Sequence, residues 1–287
     1  MVAKQYIKNP LLYVSVIIIL IALFLGAKDS TDWYNQNLAY LSEKTASDVN
    51  LDLVQRTINL FNGYDVFING VGYGNSGFYP ILIMLVIGFL FTGNFAHRLS
   101  DGSGITEITR IGYRKYHSKE IAKNFIGTFI FTVMVLLIFL GICLWRYSCV
   151  MPTKGYSPEL MAVTNMYYSH PLLYCLIQII NQGVFLGLLS LLCMGTVCLN
   201  VNTFVNRISM LVVYLFLTVV SQMLFRFIGI PFFVLIFPDL IFVPFNIDGG
   251  TVLGFIGEKV CAYLLLVVLV ICVQLCMYKK YRSNYLR

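Results

Sequence analysis

Apolar residues in this chain come in long blocks, at about 11–27, 77–96, 121–145, 171–198, 208–226, 228–247 and 252–278, and charges are nearly confined to the gaps between them. A helix of about 18 residues or more matches the hydrocarbon thickness of a bilayer, so each block is a candidate span. Counting alone gives six or seven, and charge decides between them. The stretch 97–123 carries Arg98, Arg110, Arg114, Lys115, Lys119 and Lys123, and the tail carries Lys279, Lys280, Arg282 and Arg287. Such clusters mark the cytoplasmic side. The gap 28–76 sets Asp29, Asp32, Glu43, Asp48, Asp52 and Asp65 against Lys28, Lys44 and Arg56, which suits the outside. With the N-terminus inside, six spans return the basic tail to the cytoplasm, and seven strand it outside.

The block that fails to cross is 228–247, where Pro231, Pro238 and Pro244, with Asp239 between them, interrupt the helical ladder. It reads as a re-entrant or interfacial hairpin, which needs protein or a water-filled cavity to satisfy its backbone. The predicted fold is therefore an all-α integral membrane protein with six transmembrane helices and both termini cytoplasmic. As a single domain over 1–287 it divides into TM1 11–27, an extracellular region 28–76, TM2 77–96, a cytoplasmic loop 97–120, TM3 121–145, TM4 171–198, TM5 208–226, the re-entrant hairpin 228–247 and TM6 252–278. Lys4 and Lys8 before the first block resemble a signal peptide, but no small-x-small cleavage pattern follows, so it is kept as a span.

Two outer stretches carry further signals. Leu51, Val54, Ile58 and Phe61 recur at helical spacing, which predicts an amphipathic helix over 48–61. The following FNGYDVFINGVGYGNSG is rich in Gly and Asn and predicts loop. In the cytoplasmic loop, Asp101-Gly102-Ser103-Gly104 predicts a turn, Ile105 to Ile111 a short amphipathic helix, and Gly112 its break. Ser118 is then placed to cap the next span, with Glu120 in its first turn.

Composition narrows the chemistry. The 287 residues are 59% hydrophobic and 11% charged, against roughly 25% charged in soluble domains. The net charge of +7 lies in clusters beside spans, which orients a membrane protein and gives no nucleic-acid footprint. The eight Cys fall mostly in or beside apolar blocks, with no disulfide framework or CxxC pair. No GxxxxGK[ST] is present to cradle phosphates, and His97, His117 and His170 lie far apart, near span ends. Arg226 is the cation placed deepest, where snorkelling or a pair with Asp239 or Asp248 accounts for it more simply than substrate contact.

The charged end of the second span, the short helix with its central Glu107, and the Gly, basic and Tyr residues leading to Ser118-Lys119-Glu120 and span three resemble the coupling-helix region of ABC-2 type permeases from Gram-positive bacteria. The layout of six spans, internal termini, an outer region after span one and a Pro-interrupted hairpin is similar as well. The resemblance implies the membrane subunit of an ABC exporter in a bacterial cell membrane, paired with a second copy or a related permease. A separate ATPase subunit would hold the ATP and Mg, with no cofactor on this chain, and the cargo would be hydrophobic or amphipathic: a peptide or bacteriocin, an antibiotic or a lipid-linked molecule. Ile105, Ile108 and Ile111 would fill the ATPase's groove, with Glu107, Arg110, Arg114 and Lys115 around it. The same charges could instead anchor the loop to anionic membrane lipid. An ion-coupled secondary transporter, or a membrane sensor or enzyme, are the alternatives; the first usually needs embedded carboxylates, and Glu258 is the nearest to a predicted span interior.

Overall fold

The computed structural model describes residues 10–43, 61–73, 78–147, 149–152, 165–198, 202–228 and 252–285. Helix α1 (Pro10–Gly26) begins on a proline, which costs no hydrogen bond in a first turn. After a one-residue turn at Ala27 the chain continues as α2 (Lys28–Glu43), with Ala27 N–H bonded to the Leu23 carbonyl and Thr31 N–H to that of Ala27. Next come α3 (Gly63–Ile68), a π-helical turn at Asn69–Tyr73, and α4 (Phe78–Ile87). A second π-helical turn at Gly88–Thr92 joins α4 to α5 (Gly93–Ser100). Helices α6 (Ser103–Ile111), α7 (Tyr113–Arg146), α8 (Asn165–Ser169) and α9 (Pro171–Met194) follow, with a 3-10 turn at Gly195–Cys198, then α10 (Thr203–Ile228) and α11 (Val252–Tyr285).

Among the described residues, five stretches are long and apolar enough to cross a membrane: Tyr79–Ser100, Tyr113–Arg146, Pro171–Val197, Thr203–Val220 and Tyr263–Lys280. Helix α1, at 17 residues, is apolar but shorter. Ile126, Ile130, Met134 and Leu137 recur at helical spacing on the exposed face of α7, while Phe131, Val135 and Phe139 are buried behind them. Apolar residues facing outward, with the backbone satisfied inside helices, are what lipid demands. The chain is a multi-pass α-helical membrane protein.

Polar side chains tie the helices where apolar attraction gives little, since lipid is as apolar as Leu. The Tyr79 hydroxyl donates to Gln182 Oε1 at 2.8 Å, Tyr263 to Asn181 Oδ1 at 2.6 Å, Gln274 Nε2 to the Leu191 carbonyl at 2.7 Å and Asn124 Nδ2 to the Ser190 carbonyl at 3.2 Å. Small residues bring α7 onto α9: a Cβ on Gly183 would sit 3.0 Å from the Phe129 ring, and one on Gly187 2.8 Å from Phe125. The register of these contacts sets direction. Tyr79 meets Gln182 while Phe91 and Phe95 lie beside Met194, and Tyr263 meets Asn181 while Gln274 meets Leu191, so α4–α5, α9 and α11 run parallel. Gly93 meets the Arg207 side chain, and Gly88 meets the Arg207 carbonyl and, beyond it, Met210, so α10 runs the other way. The chain therefore leaves α10 and re-enters α11 at the same end of the bundle. The predicted hairpin with Pro231, Pro238, Asp239 and Pro244 lies outside the described residues, as do residues 48–60 of the predicted amphipathic helix 48–61 and the side chain of Arg226.

One expectation is corrected. The Gly- and Asn-rich stretch predicted as loop is helical from Gly63 to Tyr73 and buried in the bundle as far as its side chains are described, with Val66, Phe67 and Ile68 fully enclosed. Asn62 caps it, its Oδ1 accepting from Asp65 N–H at 2.9 Å. The glycines here permit close approach: a Cβ on Gly63 would meet the Cys143 carbonyl oxygen at 2.5 Å, and one on Gly70 the Leu23 carbonyl oxygen and the Phe139 ring, both at 2.8 Å. This segment forms a plug among α1, α7 and α9.

Candidate functional site

The basic residues gather at the end of the bundle where α5, α6, the start of α7, the end of α9 and the end of α11 meet. The turn between α5 and α6 is built as its residues dictate. The Asp101 carboxylate accepts from Ser103 N–H at 2.9 Å and Ser103 Oγ at 2.8 Å, which holds its pKa below the usual carboxylate range, and Gly102 takes φ 78°. Gly112, at φ 80°, breaks α6 from α7. The next helix starts directly at Tyr113, so Ser118 does not cap it and Glu120 lies beyond its first turn. The reason is packing. Tyr113 and Tyr116 are buried in a small core with Phe95, Leu99, Ile108 and Met277, and that burial draws the helix start toward Gly112.

Within this frame Arg98 pairs with both Glu107 and Glu120, and Lys119 pairs with Glu107. The hydrogen bonds from Lys119 and Arg98 hold the Glu107 carboxyl below its ordinary value. Arg98 also lies 5.8 Å from the Tyr116 ring centre. The short helix α6 is thus clamped to both neighbouring spans by one guanidinium.

The seven residues singled out from sequence divide into three groups. Ile105, Arg110 and Ile111 are exposed on α6, with Ile105 and Ile111 39% and 38% accessible. Ile108 is turned inward at 6%, and Glu107 is engaged by Arg98 and Lys119. Arg114 and Lys115 are exposed but stand on the first turn of α7, beside the end of α11. The Tyr113 ring packs 5.5 Å from Tyr278, and its hydroxyl donates to the Met277 carbonyl at 3.5 Å.

The sequence placed Arg98 in the basic cluster and Glu120 in a first helical turn, and did not pair them. Both flank the loop at span ends, and a carboxylate there with a cation across the loop was the available signal. Beside them Phe91, Asn94, Lys123, Asn124 and Met194 line a crevice with room for about one water molecule. At the opposite end, Tyr167 on α8 donates to Asp65 on the plug at 2.6 Å, and burial together with that carboxylate pushes the Tyr167 hydroxyl well above its ordinary pKa. Among the described residues no three His, Cys, Asp or Glu gather as metal ligands. The three histidines stay apart: His97 lies 3.4 Å from Asp101, His117 stacks on Tyr113, and His170 precedes α9. No protein-family model and no curated protein matches this sequence, and no solved structure matches the fold.

Proposed function

We propose that this chain is the membrane subunit of an ATP-driven exporter, docked through α6 to a separate ATPase subunit that binds the ATP and Mg. In this reading the basic end faces the cytoplasm, α1 completes six spans, both termini lie inside, and the expected re-entrant hairpin 228–247 stays on the outer side. The observation that carries it is α6 itself. A nine-residue amphipathic helix bridges two spans, is anchored inward by Ile108 and Glu107, and offers Ile105, Ile111 and Arg110 outward. Such a rigidly held knob can pass a push from a soluble partner into the spans. Paired permeases and a hydrophobic or amphipathic cargo follow from the resemblance of the loop and the span layout to ABC-2 type permeases.

The test is a mild-detergent pull-down of the tagged chain from its native membrane, comparing wild type with Ile105→Asp/Ile111→Asp. An ATPase that co-purifies with wild type and is released by the variant, with unchanged thermal stability of the purified chain, is the expected result. Recovery of no ATPase in several detergents would sink the proposal. A second reading, ion-coupled transport, draws on the buried Asp65 carboxylate. Transport in ATP-free vesicles driven by a pH gradient, and lost in Asp65→Asn, would favour it instead.

A further inference from the structure

Arg207 on α10 is a cation held well within the membrane-crossing region. It rests against the π-helical turn Gly88–Thr92, where two glycines make room for it: a Cβ on Gly88 would run into the Arg207 carbonyl, and one on Gly93 into the Arg207 Cγ. The guanidinium carbon stands 5.7 Å from the centre of the Phe89 ring. Phe89 comes nine residues before Arg98, so at 1.5 Å per residue the charge lies about 13 Å further into the bundle than the clamp. Phe89 also falls near the middle of the apolar stretch Tyr79–Ser100. No carboxylate offsets the charge among the described residues. The Arg207 Nε is buried without a hydrogen-bond partner, and the ion pairs of the molecule do not include this guanidinium. The sequence has no Asp or Glu from 66 to 100 or from 160 to 238, ranges that cover α4, α5, α9 and α10.

A cation at such depth without a counter-ion is costly, and the face of one Phe ring offsets only part of that. Single π-helical turns inside longer helices recur at functional sites, and this one is shaped around the arginine. A guanidinium is always charged, and its paired donors match a carboxylate or phosphate. Leading away from it toward the far end of α4, Phe89, Leu85 and Ile81 recur at helical spacing on a partly exposed face, with Ile81 39% accessible. An anion held here therefore has to carry an apolar tail. A resident phospholipid fits poorly, because its phosphate stays in the head-group layer at the level of the basic end. We propose that Arg207 binds the oxyanion of a single-chain amphipathic molecule in transit along the seam between α10 and α4, its tail lying on Leu85 and Ile81. The proposal rests on the reading of this chain as a carrier of amphipathic cargo, and it gives that cargo a negatively charged head. It does not depend on what docks at α6.

The full chain, purified in a nonionic detergent with no ATPase present, is titrated separately with oleate, oleyl alcohol and phosphatidylglycerol, and bound ligand is counted by native mass spectrometry. Oleate binds more tightly than oleyl alcohol. Arg207→Gln lowers the oleate affinity about tenfold, the size of one charge-assisted hydrogen bond, and leaves oleyl alcohol as it was. Arg207→Lys keeps most of the oleate binding, which separates charge from folding. Lys279→Gln, which removes an exposed cation at the basic end, leaves oleate binding unchanged and so excludes attraction by net charge alone. The proposal is overturned if Arg207→Gln binds oleate like wild type, or if it loses phosphatidylglycerol and keeps oleate, which would make this a resident-lipid site. Oleate binding that depends on Arg207 in a chain that recovers no ATPase would remove the ATPase partner and keep the site, whereas an ATPase recovered with a chain whose oleate binding ignores Arg207 would remove the site alone.

Discussion

The guanidinium of Arg98 reaches across the loop to the carboxylate of Glu120, 22 residues further along the chain, and its second nitrogen holds Glu107. The Glu120 side chain is 4% exposed and that of Arg98 27%, so the pair is largely shielded from water. Removing one partner of a buried pair costs about 3–5 kcal/mol, and the partial exposure of Arg98 reduces this to about 2–3 kcal/mol for Arg98→Ala. Arg98→Met/Glu120→Gln, which removes both charges, recovers part of the loss. Thermal unfolding in detergent measures both, and an Arg98→Ala protein as stable as wild type would contradict the clamp.

Acid should loosen α6. The Glu107 carboxyl has a lower pKa folded than unfolded, so its ion pairs contribute stability that is fully present above the ordinary glutamate pKa of about 4.3 and is lost as pH falls through the folded value. Pepsin cleavage within residues 101–112 is expected to rise more steeply below that pH in wild type than in Glu107→Gln. Identical pH profiles would remove Glu107 from the account.

The two glycines that bound α6 differ in what they tolerate. Gly102 (φ 78°, ψ −8°) is left-handed, a conformation Asn accepts, so Gly102→Asn costs little. Gly112 (φ 80°, ψ 148°) lies in a region open essentially to Gly alone, so Gly112→Asn costs about 1–3 kcal/mol. Neither position has an atom within 4 Å of an added Cβ, which makes the comparison a clean backbone test by thermal unfolding.

Gly70→Ala should destabilise the plug, because its Cβ meets both the Leu23 carbonyl and the Phe139 ring at 2.8 Å, and overpacking of this kind costs about 1–3 kcal/mol. Gly141→Ala, with open space around its Cβ, is the control and should be neutral or slightly stabilising. Equal effects at the two positions would refute the close packing of the plug.

How much of this was legible in the sequence depended on whether the cause was local. The turn at Asp101–Gly104 and the break at Gly112 follow from short-range chemistry, and both appear where the residues put them. The direction of Ile108 does not, because Ile105, Ile108 and Ile111 are equally apolar, and the choice among them is made by Phe95, Tyr116 and Met277 from three other helices. Gly63 and Gly70 misled for a related reason. In isolation glycine signals a loop, whereas here its missing side chain admits the Cys143 backbone and the Phe139 ring. Ser118 and Glu120 fitted a cap on local grounds and were overridden by burial of Tyr113 and Tyr116.

Helix α7 runs unbroken for 34 residues, about 51 Å at 1.5 Å per residue. Its first turns carry Lys119 and Glu120 of the clamp, and near its far end the Cys143 backbone seats Gly63 of the plug. One stiff rod thus touches both ends of the bundle, and in the proposed exporter it would serve as a lever. Rocking it by about five degrees about its basic end swings the far end by about 4 Å, roughly one Cα–Cα step. Under that proposal a small displacement delivered at α6 would be geometrically amplified at Gly63, without any helix along the way having to unwind.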